Sequence, residues 1–218
     1  MGSDVDVRRL VNAVSHSRVQ VFRRQSWLLG LLFASCPAWS DAPQNSNDAI
    51  LTAARRQIGV TVHYDPAYVR LKFPGGDVPA DRGVCTDVIV RALRQARRMD
   101  LQQEINADLR ANWNQYPHRL NWRLTRPDPN IDHRRVPNLM TFLARRGWQL
   151  PVSRKASDFL AGDIVAWDLG GGILHVGVVS DRLTSAATPL VVHNIGAGVR
   201  EEDILFRYRA IGHFRPSN

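Results

Sequence analysis

The sequence predicts an α+β domain, with helices first and an antiparallel sheet after them. Three observations carry this. In four segments between residues 48 and 147, apolar side chains recur every third or fourth position, the helical period. From Gly162 onward the apolar runs are short and strand-like. Asp168-Leu169-Gly170-Gly171-Gly172 separates two of those runs and reads as a hairpin turn. A length of 218 residues suits one core of ordinary size plus an extension.

That extension is residues 1–40, which read as an export signal. Arg18, Arg23 and Arg24 precede the apolar run Trp27–Ala34, and Ala38-Trp39-Ser40 supplies the small residues a signal peptidase reads. The run is short for a membrane span. Alternatives are a lipobox at Phe33-Ala34-Ser35-Cys36, a weaker twin-arginine reading, and a start codon further downstream. A periplasmic or extracytoplasmic address is expected, with membrane attachment only through an uncleaved signal or a lipid anchor. Residues 41–48 are polar and turn-rich and read as a linker, leaving 49–218 as the folded domain.

Residues 48–59 predict a short helix ending at Gly59, with Ile50, Leu51, Ala54 and Ile58 inward. His63 to Phe73 predicts extended chain, turned back by Pro74-Gly75-Gly76-Asp77. The next helix begins at Cys85. Val84, Val88, Ala92 and Ala96 recur every fourth residue beside Ile89 and Leu93, so one face is apolar. Leu101, Ile105, Leu109 and Trp113 extend the pattern over 101–115, stopped by Tyr116-Pro117. Residues 117–137 hold four prolines and predict a structured loop, pinned by Trp122, Leu124 and Ile131. A short helix follows over 137–147. Gly162–Trp167, Ile173–Ser180, Pro189–Asn194 and 208–215 predict strands.

Charge narrows the partners. The chain carries 29 Lys+Arg against 20 Asp+Glu, a net +9, but the arginines are scattered and not interleaved with aromatics. That argues against nucleic acid. A basic surface suits an anionic wall or membrane face.

The two cysteines are Cys36 and Cys85, and cleavage after Ser40 leaves Cys85 alone. A lone thiol in an oxidising compartment marks a candidate reactive group. At a helix N-terminus the dipole favours thiolate, which makes Cys85 a candidate nucleophile; the alternative is a small buried cysteine at a helix start. Such a nucleophile needs a base and a group to orient that base. His175 and His193 fall on neighbouring predicted strands, so one can act as base and the other can fix its tautomer, with Asn194 as an alternative orienter. No paired metal-binding motif occurs. Asp128, Asn130 and Asp132 alternate as in a calcium loop but lack the closing glutamate. No cofactor or metal is expected, and a monomer is.

Cys85 at a helix start, Gly162-Asp163-Ile164-Val165, His175-Val176-Gly177-Val178 and a later strand ending in His193 resemble the NlpC-like branch of papain-like cysteine peptidases. Tyr64 or Tyr68 ahead of Gly75-Gly76 is similar to that branch's lead-in. More closely, Gly83-Val84-Cys85-Thr86-Asp87, the run Asp128–Asn138 and His193-Asn194-Ile195-Gly196 resemble an uncharacterised bacterial family called domain of unknown function 1287. The resemblance spans about residues 50–216.

It implies a papain-like fold and cleavage of peptide or amide bonds, commonly in peptidoglycan stem peptides. Cys85 would be nucleophile, His175 base and His193 orienting residue. Tyr64, Tyr68, Asp87, Asp132, His133 and Asn194 are the candidate substrate-binding positions. Val-Cys-Thr-Asp here replaces the branch's usual Asp-Cys-Ser-Gly. The Asp128–Asn138 run either lines the cleft or is a loop stapled by Arg–carboxylate pairs. Cys85 precedes His175, an order that favours peptidase or amidase over the permuted acyltransferase-like relatives. A non-catalytic wall-binding module of the same fold is the alternative function.

Overall fold

The computed structural model describes residues 46–117 and 125–217. The signal, lipobox and start-codon readings, most of the linker, and Trp122 and Leu124 lie outside the described residues. Among the described residues there are four α-helices: α1 (Ser46–Arg55), α2 (Cys85–Arg97), α3 (Leu101–Ala111) and α4 (Val136–Arg145). The strands are β1 (His63–Tyr64), β2 (Arg82–Gly83), β3 (Gln149–Leu150), β4 (Ile164–Asp168), β5 (Leu174–Leu183), β6 (Pro189–Asn194), β7 (Val199–Glu202) and β8 (Arg209–Phe214). β1 and β2 form a small parallel ribbon. The other six make one antiparallel sheet in the order β3-β8-β4-β5-β6-β7. The domain is therefore mixed α+β, with its helices ahead of its main sheet.

Helix α2 is the axis of the core. Ile89, Leu93 and Ala92 are completely buried and Val88 nearly so. They pack with α1 (Ile50, Ala54), α3 (Leu101, Ile105) and the sheet residues Ile164, Val176, Val178 and Val192. Each fully buried Leu or Ile contributes roughly 1.5–3 kcal/mol, so this one face is a main source of stability. The helix ends at Arg98, whose left-handed φ of 55° lets its N–H bond the Leu93 carbonyl.

The opposite sheet face carries Val165, Trp167, Val179 and Val191, covered by Phe159, Ile204 and Leu205. Trp167 donates its indole N–H to the Leu205 carbonyl at 3.0 Å, so burying the ring leaves no orphan donor.

Helix α3 stops short of the expected 115. Asn112 folds its side-chain amide onto the Asp108 carbonyl, and a 3₁₀ turn follows over Trp113–Gln115. The predicted hairpin is β4–β5, with Trp167 directly opposite His175. β7 and β3 were not expected.

Gly162 precedes β4 with φ +83°, and a Cβ there would collide with the Asn47 carbonyl of α1. Gly162→Ala should therefore cost roughly 2–4 kcal/mol in urea unfolding, through backbone strain and overpacking together. A change under about 0.5 kcal/mol would show that α1 yields freely at this contact.

Candidate active site

Cys85 opens α2. Its helix start is set by Asp87, whose Oδ2 accepts the Val84 N–H at 2.6 Å and closes the first turn. Cys85 is 4% exposed, yet it lines a cleft of about 420 Å³ with Tyr64, Pro66, Ile131, Arg134 and Leu174. The Val176 backbone N–H, with those of Thr86 and Cys85 itself, bears on the sulfur and favours thiolate. Burial outweighs them and pushes the thiol up to about 12. The expectation of a resting thiolate is thus corrected: desolvation exceeds the helix-end field, and the sulfur is a neutral thiol at neutral pH.

His175 and His193 lie on adjacent strands and face one another. His175 Nε2 and His193 Nδ1 are 3.0 Å apart, with the rings nearly perpendicular. Gly177 makes this approach feasible, because a Cβ there would press on Val191 Cγ1 and His193 Cβ. Beyond His193, Glu202 Oε2 lies 3.1 Å from Nε2 but off hydrogen-bond geometry, so the carboxylate acts on the ring through its charge.

These distances order the protons. The carboxylate favours a hydrogen on His193 Nε2, which leaves His193 Nδ1 as an acceptor. His175 Nε2 is then the donor between the rings, and His175 Nδ1 holds the free lone pair. Burial, with the neighbouring His193, lowers His175 to about 3, so the ring is neutral. Burial also lowers His193, against the opposing pull of Glu202.

Among the described residues, no hydrogen bond joins the Cys85 sulfur to His175. His175 shares a sheet face with Trp167, ring centroids 6.0 Å apart, while Val176 enters the core beneath α2. The sulfur's recorded link to this strand is the Val176 N–H, one residue from the imidazole.

The remaining candidates divide. Tyr64 lines the cleft. Tyr68 lies outside it, donating its hydroxyl hydrogen to Asp128 Oδ2 at 3.0 Å and accepting from Asn130 Nδ2 at 3.0 Å. Asp87 does not line the cleft. It is buried and gripped by Arg134, with Nε to Oδ1 and Nη2 to Oδ2 both 2.9 Å. Thr86 Oγ1 donates to the Arg134 carbonyl at 3.0 Å, a further stitch between the same segments.

Asp132 is also buried, accepting the Asp128 N–H and the Arg135 guanidinium at 2.8 Å. His133 is buried, its Nδ1 has no hydrogen-bond partner, and burial holds it down at about 4. Asn194 is fully buried and donates to the Gly83 carbonyl at 3.0 Å, tying β6 to the ribbon just ahead of Cys85. Asp87, Asp132, His133 and Asn194 therefore build the scaffold around the cleft rather than its wall. A carboxylate this deep is satisfied by neighbouring donors and has none of its capacity left for a ligand.

Two residues were missed from sequence. Arg134 both lines the cleft and locks Asp87; an acidic residue one turn into an apolar helix needs a cation, and that was its signal. Glu202 sits in an edge strand too short and polar to be recognised. The Asp128–Asn138 run serves both readings: Ile131, Val136 and Pro137 line the cleft, and Arg–carboxylate pairs staple it. No group of three His, Cys, Asp or Glu side chains gathers as a metal shell among the described residues.

The model of a family described as "Domain of unknown function (DUF1287)" matches residues 51–216. The chain is 55% identical over 171 residues to "Uncharacterized protein YijF" of Escherichia coli (strain K12), a match covering 78% of this chain and 82% of that protein. No solved structure matches.

Proposed function

The chain belongs to the DUF1287 family, and we propose that it is an exported cysteine hydrolase of peptide or amide bonds, acting in the manner of the NlpC-like branch of papain-like peptidases. The observation that carries this reading is a cleft-lining cysteine at the start of α2 in a domain whose sheet also holds a hydrogen-bonded histidine pair, His175 and His193. The papain-like assignment rests on the same features: a cysteine-led helix packed on an antiparallel sheet that presents a histidine pair.

The resting pair is neutral thiol and neutral imidazole, so the thiol gives up its proton during attack rather than before it. The sulfur bonds to the amide carbonyl carbon, and its proton passes to His175 Nδ1. The N–H groups of Cys85 and Thr86 at the start of α2 face the developing oxyanion. His175 then protonates the departing amine, the C–N bond breaks, and water releases the acyl group. At rest the His175 ring lies on the Trp167 face of the sheet, so this transfer requires the ring to turn toward the cleft when substrate binds. Peptidoglycan stem peptides are the proposed substrate, in keeping with the net positive charge and the predicted signal.

The test is purified peptidoglycan digested by the wild type and by Cys85→Ala, with fragments read by mass spectrometry. Cys85→Ala should lower the rate by about 10⁴-fold or more, and His175→Ala should do so comparably, since the two act as a unit. Equal fragment yields from Cys85→Ala would end the hydrolase reading. The raised thiol pKa and the lack of a hydrogen bond from the sulfur to His175 favour one rival, a wall-binding module without activity. That rival predicts co-sedimentation with peptidoglycan and no fragments from either protein.

A further inference from the structure

A second cavity, of about 590 Å³, lies across the Asp128–Ile131 segment from the cysteine cleft. Pro129 and Asn130 line this cavity and Ile131 lines the cleft, so one stretch of chain walls both. Three arginines from three separate segments converge on it: Arg70 from the chain after β1, Arg110 from the last turn of α3, and Arg126 from the loop ahead of Asp128. All three are exposed.

Elsewhere in the domain arginines are spent on carboxylates. Arg91 holds Asp77, Arg145 holds Asp108, and Arg215 holds Asp163. No carboxylate among the described residues pairs with Arg70, Arg110 or Arg126. Among the described residues the one carboxylate in the cavity wall, Asp128, is engaged by the Tyr68 hydroxyl, the Asn130 N–H and Asn130 Nδ2. Its bonds fix Tyr68 and Asn130 in place, and its single negative charge offsets only one of the three guanidiniums. Three like charges in one concavity repel one another, and the arrangement is relieved by an anion that takes their hydrogens.

We propose that this cavity binds an oxyanion, the carboxylate or phosphate of a ligand, through Arg70, Arg110 and Arg126. The proposal goes beyond the hydrolase reading and does not depend on it.

The test uses the full chain carrying Cys85→Ala, so that turnover cannot interfere. Inorganic phosphate and citrate are titrated separately, following the arginine Nε–H resonances. Saturable binding in the millimolar range is expected for at least one probe, weakened about tenfold or more in Arg70→Gln/Arg110→Gln/Arg126→Gln. Arg126→Gln alone, a milder change, should weaken it in the same direction. Arg56→Gln, another exposed arginine outside this cavity, should change nothing. Saturation by phosphate alone identifies a phosphate-bearing ligand, and by citrate alone a polycarboxylate. No saturation with either probe, or equal affinity in the variants and the parent, overturns the proposal.

Discussion

Arg134→Ala should cost roughly 3–5 kcal/mol of folding stability. Arg134 and Asp87 have side chains 1% and 3% exposed, so removing the guanidinium leaves a carboxylate in the interior with its main counter-charge gone. The same guanidinium also donates to the carbonyls of Ala67 and Asp65, at 3.2 and 3.3 Å. Its loss therefore frees the chain that carries Tyr64 and Pro66, and with it one wall of the cleft. Lysine is no substitute, because one ammonium cannot span both carboxylate oxygens. Urea unfolding followed by fluorescence gives the comparison. Asp87→Leu/Arg134→Met, which removes both charges and keeps the volume, should recover much of the loss. A midpoint for Arg134→Ala equivalent to under about 1 kcal/mol would mean that water reaches Asp87 and that the pair is no internal clamp.

How far the sequence could be read follows from where each residue's role is decided. The apolar period of α2 and the glycine turn between β4 and β5 are local signals, and both elements form where the pattern predicts. β7, Val199-Arg200-Glu201-Glu202, is a short polar edge strand whose only evidence is its pairing with β6. The site divides in the same way. Two histidines on neighbouring strands could be placed side by side from strand period alone. Glu202 and Arg134 could not, because Glu202 lies in a polar edge strand without a local signal and Arg134 acts on a partner 47 residues away.

Asp87, Asp132 and His133 look like ligand-binding groups in a sequence, since polar residues near a nucleophile usually are exposed. Three-dimensional closure buries them instead: Asp87 and Asp132 become staples, and His133 a neutral ring packed in the interior. The thiol illustrates the same limit. A helix start is legible from residues, whereas the desolvation that keeps Cys85 protonated depends on how completely its neighbours cover it.

Burial of imidazoles also fixes the response to acid. His175 and His133 are both 2% exposed, and burial lowers them to about 3 and about 4. In the unfolded chain each takes a proton near its ordinary value of 6.5. Between 6.5 and those lowered values the unfolded chain binds more protons than the folded one, so stability falls as pH falls. At about pH 4.5 each ring has lost on the order of 2–3 kcal/mol, together roughly 5 kcal/mol of a total that is typically 5–15. His193, lowered in the same direction, adds to the loss. Asp163 contributes with the same outcome from a shift in the same direction. Although burial raises it, Arg215 and His213 hold it below the usual carboxylate range, and that stabilisation disappears as pH drops through the depressed value.

Urea midpoints at about pH 7.5 and about pH 4.5 should therefore separate sharply, and His133→Asn should narrow the gap by about 2–3 kcal/mol. His133 is the variant to use, because it lies outside the proposed proton path and its effect isolates burial from chemistry. A gap unchanged by His133→Asn would mean that this ring takes its proton as readily inside the fold as in water, and the interior beneath α2 would then be far wetter than its packing implies.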